Sequence, residues 1–220
     1  MNIFDIIGPV MIGPSSSHTA GAVRIGRVSW KILGEQVANA DIGLTGSLAM
    51  TYKGHGTDKA LIAGILGMKV DDDRIPQSLE IAKRSGLRYS FSEIKITHAH
   101  PNTAVLHLVG VKGTECTVQG VSVGGGNILI TKLNGMDSVF NGELDTLIIA
   151  HNDTPGVIAS VASQLAKSGV NVGNFRLSRP HKGKLAIMTI EIDGSIERSV
   201  VNILEAMPEI ISVIYMQAMN

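Results

Sequence analysis

The stretch Thr146-Leu-Ile-Ile-Ala-His151, followed by Asn152-Asp-Thr-Pro155-Gly156 and by Val157-Ile-Ala-Ser-Val-Ala-Ser-Gln-Leu-Ala-Lys167, decides how the fold is read. An apolar run of strand length meets a turn of Asn, Asp, Pro and Gly. A helical pattern begins directly after it, with Gly169 as its stop. Working onward, Val170 to Leu177 reads as a strand, Pro180 to Gly183 as a turn and Leu185 to Ile192 as a second strand. Ser195 opens a helix that reaches Met207 and is stopped by Pro208, and Ile210 to Met216 is the last strand. The order βαββαβ over 146–220 is that of a ferredoxin-like unit. Such an order fixes no function by itself.

Upstream of this unit the pattern breaks between Asn134 and Asp145, where Asn134-Gly135 and Asn141-Gly142 are turn signals. The 220 residues have room for two small domains, and the boundary is placed there, giving 1–145 and 146–220 in an α+β chain whose first part mixes α and β. Hydrophobic residues are 44% of the chain and aromatics only 4%, so the cores must be aliphatic. The net charge is zero and no basic run occurs, which argues against nucleic acid as a partner. One cysteine, Cys116, excludes an intrachain disulfide and an all-cysteine metal site built by this chain alone. No basic segment precedes an apolar one at the start, and no apolar run reaches the ~20 residues of a membrane span. The expectation is a cytoplasmic protein without a membrane segment.

Two unusual stretches lie in the first part. Residues 1–12 are apolar (Ile3, Phe4, Ile6, Ile7, Val10, Met11, Ile12) and are expected to form a buried base for Gly13-Pro14-Ser15-Ser16-Ser17-His18-Thr19. Four hydroxyls and backbone N–H groups around one histidine suit a polar or anionic ligand. They equally suit the capped start of a helix ending at Gly34, and the readings are compatible because a helix N-terminus attracts anions. Asn39 to Met50 reads as a strand running into a Gly46-Ser47 turn. Then Tyr52-Lys53-Gly54-His55-Gly56-Thr57-Asp58-Lys59 brings together Lys, His, Thr and Asp, with glycines flanking the histidine. This is either a second ligand loop or a mobile polar loop, with Thr57 as cap of the helix that follows.

The remaining motifs are weaker. Asp71-Asp72-Asp73 lacks the alternation of a calcium loop and reads as a solvated turn before a helix near Gln77–Ser85. Phe91 to Ile96 reads as a strand delivering His98 and His100, and His107 falls on the next strand, Thr103–Val109. Three histidines can hold zinc. With no carboxylate beside them, a His100-Pro101-Asn102-Thr103 turn facing a ligand is preferred, and no metal site is assigned. Gly124-Gly125-Gly126-Asn127, after the strand Val118–Val123, marks a close approach or a bulge.

Taken together, Gly-Pro-Ser-Ser-Ser-His-Thr, Gly-Ser-Leu-Ala-Met-Thr-Tyr-Lys-Gly-His-Gly-Thr-Asp-Lys, His-Pro-Asn-Thr and Ser-Val-Gly-Gly-Gly-Asn resemble the β subunit of iron–sulfur-dependent bacterial L-serine dehydratase. The tail resembles an ACT domain, a small amino-acid-sensing module. The first part is also similar to the allosteric substrate-binding domain of some phosphoglycerate dehydrogenases, which makes a non-catalytic amino-acid sensor the competing reading. The resemblance implies conversion of L-serine to pyruvate and ammonia with a [4Fe–4S] cluster and no pyridoxal phosphate. Such a cluster takes cysteine thiolates, and a lone Cys116 agrees with its lying on a separate α subunit. A base must then remove the Cα proton of serine. The resemblance assigns His55 to proton transfer and His18 as its partner, in either order, with Lys53 balancing charge. Ser15, Ser16, Ser17, Thr19, Thr57 and Asn102 become candidates to hold the substrate, under a backbone closed over it at Gly124 and Gly125. In the ACT part, Asn152, Asp153 and Gly156, with Asn171 and Val172 of a facing strand, are implied to hold an amino-acid effector, L-serine itself, at a seam between two copies. Alternatively that part only dimerises the protein. The Leu185–Ile190 strand and the lack of a charged edge run suit such pairing.

Overall fold

The structure, a computed structural model, describes residues 11–219. Of the apolar opening stretch only Met11 and Ile12 are therefore described, both half-buried; Ile3, Phe4, Ile6, Ile7 and Val10 lie outside the described residues. The chain forms two compact units that divide between Gly135 and Met136. Both are α+β, as the sequence indicated.

The first unit opens with a π-helical turn, Ser16–Ala20, that runs without a break into α1 (Gly21–Leu33). That helix ends on Gly34, whose left-handed φ of 76° suits a residue without Cβ. Then come β1 (Val37–Leu44), α2 (Gly46–Thr51), α3 (Thr57–Ile65), a 3₁₀ turn (Ile75–Gln77), α4 (Ser78–Arg84), β2 (Arg88–Glu93), β3 (Thr103–Gly110), β4 (Glu115–Gly124) and β5 (Asn127–Leu133). These strands lie in the order β2-β1-β3-β4-β5. The β1–β2 pair is parallel and the β1–β3, β3–β4 and β4–β5 pairs are antiparallel. The strand expected to reach Met50 stops at Leu44. The backbone N–H of Thr45 donates to Thr103 O, Gly46 turns the chain at φ 48°, and α2 follows. His98 and His100 sit in a loop rather than on a strand, with His98 at φ 59°.

The core is aliphatic, as the composition required: Ile25, Ile42, Leu44, Leu61, Ile62, Leu106, Leu108 and Ile130 are fully buried. Its tightest point is the crossing of α1 and α3. A Cβ on Gly26 would collide with the Leu61 carbonyl oxygen, and one on Gly64 with the Val23 carbonyl oxygen. The two helices thus touch backbone to backbone. His18 stands eight residues before Gly26 and His55 nine before Gly64. The loops that open both helices are therefore carried at similar distances from one fixed contact.

The second unit contains β6 (Met136–Phe140), β7 (Asp145–Asn152), α5 (Val157–Lys167), β8 (Val172–Ser178), β9 (Leu185–Ile192), α6 (Arg198–Glu205) and β10 (Ile210–Met216). From β7 onward this is the βαββαβ order read from the sequence. Strands β7 to β10 form an antiparallel sheet in the order β10-β7-β9-β8. Leu147, Ile149, Met188 and Ile190 alternate along β7 and β9 and pack with Val157, Val161 and Leu165 of α5 and Val201 and Leu204 of α6. The β9 strand, expected to suit pairing with another copy, is interior; β10 and β8 are the edges.

Because backbone cannot yield as a side-chain tip can, Gly64→Ala is expected to lower the stability of the chain by about 3 kcal/mol, measured by urea unfolding. Ala63→Gly, one position away, is expected to cost about 1 kcal/mol, the usual helix-interior penalty of glycine, plus the loss of one buried methyl.

Candidate active site

Three segments meet where α1 and α3 begin. Ser15 caps the π-helical turn: its Oγ accepts the His18 backbone N–H at 3.2 Å and lies 3.2 Å from His18 Nδ1. The other ring nitrogen, Nε2, lies 3.1 Å from Ser47 Oγ at the start of α2. Both nitrogens of His18 are thus held by hydroxyls. The His55 ring stands edge-on to it, with centroids 4.9 Å apart and planes at 64°. His55 Nδ1 is buried and has no hydrogen-bond partner among the described residues.

The loops are tied by a reciprocal pair of hydroxyls. Thr19, the residue after His18, donates from Oγ1 to the carbonyl of His55 at 3.2 Å. Thr57, two residues after His55, donates from Oγ1 to the carbonyl of His18 at 3.0 Å. Both threonines are buried, at 3% and 0% exposure. A hydroxyl has one proton to give, so the two groups expected to donate to a ligand instead fix the histidines. Thr57 is also not the cap of α3. Gly56, at φ 67°, holds the cap position and Thr57 is the first helical residue.

The third segment is His100-Pro101-Asn102-Thr103. The Thr103 hydroxyl donates to His100 O at 2.7 Å, and the Asn102 N–H to His100 Nδ1 at 3.1 Å. Ser122 of β4 joins this loop to the serine run. Its N–H donates to Asn102 O at 3.0 Å and its Oγ to Ser17 O at 2.8 Å. Asn102 Oδ1 is buried and unpartnered. Ser16 and Ser17 make no side-chain hydrogen bond to another described residue. Lys53 is exposed, its Nζ 5.6 Å from the centre of the Tyr52 ring. Gly124 ends β4 at φ 103° and Gly125 opens the turn to β5 at φ 60°, and nothing lies within 4 Å of where a Cβ on Gly124 would sit. The turn needs positive φ rather than room for a close neighbour. Arg24 of α1 holds it through Gly126 O at 3.0 Å.

Among the described residues no group of three or more His, Cys, Asp or Glu could hold a metal ion. Cys116 is buried in β4, its Sγ 3.9 Å from Ser29 O, and burial pushes the thiol up to about 12. A single buried cysteine does not offer the set of thiolates that an iron–sulfur cluster takes.

In the second unit the turn after β7 carries Asn152, Asp153 and Gly156. The Asp153 carboxylate is engaged by the Gly183 N–H at 2.8 Å and Arg179 at 3.2 Å, and Gly156 caps α5 at φ 93°. Asn171 donates to Asp193 at 2.6 Å, and Val172 opens β8. Register separates the two groups. Asn152 pairs with Leu185 at one end of β9, whereas Val172 pairs with Ile192 at the other. That is about 23 Å along the strand, so one copy does not bring the five residues together.

A profile of the serine dehydratase beta chain family matches residues 2–132. The chain belongs to that family. It is 45% identical over 212 residues to the probable L-serine dehydratase, beta chain, of Bacillus subtilis, covering 96% of each chain. It is 40% identical over 197 residues to the L-serine dehydratase, beta chain, of Peptoniphilus asaccharolyticus, covering 89% of each. A profile of the AHAS small subunit-like ACT domain matches residues 147–215. The similarity to a D-3-phosphoglycerate dehydrogenase, from Bacillus subtilis, is lower: 28% over 193 residues, covering 87% of this chain and 36% of that protein. A serine dehydratase beta chain is thus favoured over a stand-alone sensor.

Three residues of this beta chain were not singled out from the sequence. Ser47 and Ser122 hold His18 and the serine run, and only their separation of 29 and 105 residues from their partners hid them. His151, at the end of β7, is buried, with Nδ1 2.9 Å from Asn152 O and Nε2 unpartnered. Its place beside the Asn152 turn was the available signal.

Burial, and then the charge of His55 beside it, lowers the pKa of His18 below its ordinary value. The unfolded chain therefore takes up a proton that the folded chain resists. The stability of the first unit is fully present above about pH 6.5 and falls as pH drops below it. Urea midpoints are expected to decrease from pH 7.5 to 5, with a shallower decrease for His18→Gln; parallel curves would show that another group titrates.

Proposed function

We propose that this chain supplies one half of an active site that dehydrates L-serine to pyruvate and ammonia, a separate α subunit carrying the [4Fe–4S] cluster in a two-subunit L-serine ammonia-lyase. The observation that carries this reading is the edge-on contact of His18 and His55, built from two distant motifs, with one ring clamped and the other left with an unpartnered nitrogen. His18, held at both nitrogens, is the positioning residue. His55 is the group that takes the Cα proton of serine, because a base needs an available lone pair near the carbon it deprotonates. Burial and the neighbouring imidazole disfavour a positive charge on His18.

The other roles follow from which atoms remain uncommitted. Ser16 and Ser17 offer hydroxyls to the substrate carboxylate, and Asn102 Oδ1 is an acceptor for the ammonium. Lys53 adds positive charge at the mouth of the site. Ser15, Thr19 and Thr57 serve by holding the histidines. Loss of the Cα proton and of the β-hydroxyl gives aminoacrylate, which tautomerises to an imine and is hydrolysed by water to pyruvate and ammonia. The cytoplasm is the compartment that suits this chemistry, and none of the described helices is long and apolar enough to cross a membrane.

The ACT unit is read as an amino-acid sensor that also joins two copies. The edge strand β8 exposes Val172, Phe175 and Leu177 at 38–40%, an apolar row that an identical strand can cover. Two copies are also what the separated turn and strand residues need in order to share one effector.

In the complex reconstituted anaerobically from both subunits, His55→Ala is expected to lower kcat by about 10²-fold or more while the subunits still assemble. Turnover within twofold of the unmodified complex would remove His55 from proton transfer. Separately, Phe175→Glu is expected to convert a dimer of this chain into a monomer in sedimentation, and an unchanged sedimentation coefficient would exclude β8 as the seam.

A further inference from the structure

The hydrogens around His18 can be counted. Burial and then the charge of His55 lower its pKa, so at neutral pH the ring is neutral: one nitrogen carries a hydrogen and the other a lone pair. Ser15 Oγ already accepts the His18 backbone N–H and lies 3.2 Å from Nδ1. With its one proton given to Nδ1, Ser15 is complete, one hydrogen bond received and one donated. Nε2 then carries the ring hydrogen and donates it to Ser47 Oγ at 3.1 Å. The opposite tautomer crowds both N–H groups of His18 onto the single Ser15 oxygen and leaves the Ser15 proton without an acceptor among the described residues. The bonds therefore run in one direction, from Ser15 to His18 to Ser47. They end on a hydroxyl proton that no described residue accepts. Hydrogen bonds aligned head to tail polarise one another, which makes the last O–H a better donor than an isolated serine.

The backbone holds Ser47 in place from both sides. Ahead of it, the Thr45 N–H donates to Thr103 O at 3.1 Å and the Thr45 hydroxyl to His100 O at 3.3 Å. A Cβ on Gly46 would come within 2.9 Å of the Cα and carbonyl oxygen of Pro101, so residue 46 lies hard against that loop. Behind it, the Thr51 hydroxyl donates to Ser47 O at 2.8 Å. The half-buried Ser47 side chain reaches His18, and one imidazole separates its hydroxyl from the His55 ring.

The chemistry of the substrate selects the acceptor. An ammonium group has hydrogens only to give. The carboxylate has the uncommitted hydroxyls of Ser16 and Ser17. The β-oxygen gains negative charge as its bond to carbon breaks, and it hangs one carbon from the Cα that His55 deprotonates. We propose that Ser47 Oγ donates to this departing β-oxygen, as a further catalytic residue beside His55. The proposal rests on the serine-dehydrating reading above. In the step, His55 takes the Cα proton, the Cα–H electron pair becomes the second Cα–Cβ bond, and the Cβ–O bond breaks with its pair on oxygen. Ser47 keeps its proton throughout. The proton held by His55 completes the departing water.

The test uses the complex of both subunits reconstituted anaerobically. Ser47→Ala is expected to lower kcat for L-serine by about 10²-fold, as loss of one donor to a developing oxyanion does, with KM within twofold. On β-chloro-L-alanine, whose chloride departs without needing such a bond, the same variant is expected to stay within twofold of the unmodified complex. Ser47→Thr, which keeps the hydroxyl, is expected to recover most of the turnover of serine. His55→Ala is expected to lose turnover on both substrates. In the chain alone, nitrogen-15 spectra of His18 are expected to place the ring hydrogen on Nε2. Equal losses by Ser47→Ala on both substrates make Ser47 a support for His18 and overturn the proposal. A raised KM with unchanged kcat, or a ring hydrogen on Nδ1, overturns it as well. Full turnover of serine by Ser47→Ala overturns it and leaves the dehydratase reading standing. An unmodified complex that does not dehydrate serine overturns that reading, and the proposal with it, before any variant is compared.

Discussion

Two helices that touch through their backbones set the frame for everything else in the first unit. Gly26 and Gly64 remove the side chains that would hold α1 and α3 apart, and the crossing leaves no slack. Each helix follows a histidine by two or three residues, so the position of one ring relative to the other depends strongly on this contact. The remaining freedom, that of the loops ahead of the helices, is removed by Thr19 and Thr57, each reaching across to the carbonyl beside the other's histidine. Neither bond is strong, at about 1 kcal/mol net for a typical pair. Their value is geometric, because they fix two backbones rather than two flexible side chains.

The same logic sorts the polar atoms of the site into two groups. Hydroxyls of Ser15, Thr19, Ser47, Thr57 and Ser122 are spent on protein partners. His55 Nδ1 and Asn102 Oδ1 are buried without partners. A buried polar atom with nothing to bond costs stability, so a fold keeps such atoms chiefly where a ligand will satisfy them. The lowered pKa of His18 belongs to the same arrangement: burial and a neighbouring imidazole disfavour its cationic form.

The second unit reaches its core by ordinary alternation along β7 and β9 under two helices, and its features of interest lie at the margins. Asp153 is held by the β8–β9 loop, and His151 is buried beneath the Asn152 turn with one nitrogen unpartnered. The apolar edge strand β8, and a turn at the far end of the sheet from Val172, are the features on which the proposed pairing of two copies rests.

The sequence by itself determined a good deal. Periodicity and turn residues were enough for the βαββαβ order of the tail, since each element there is local and amphipathic. Aliphatic composition foretold the cores, and the two histidine motifs were visible because serines and glycines crowd around a single imidazole in each. Only the tertiary structure decided what those residues do. Whether the hydroxyl of Thr57 faces a ligand or the carbonyl of His18 depends on a contact 39 residues away in the chain, and local pattern carries no information about such distances. The stop of β1 at Leu44, the burial of β9 and the pairing of Ser47 with His18 were hidden for the same reason. Each is set by a partner brought close by the helix crossing or the strand order, and the physical cause lies in the packing of segments that are remote in sequence.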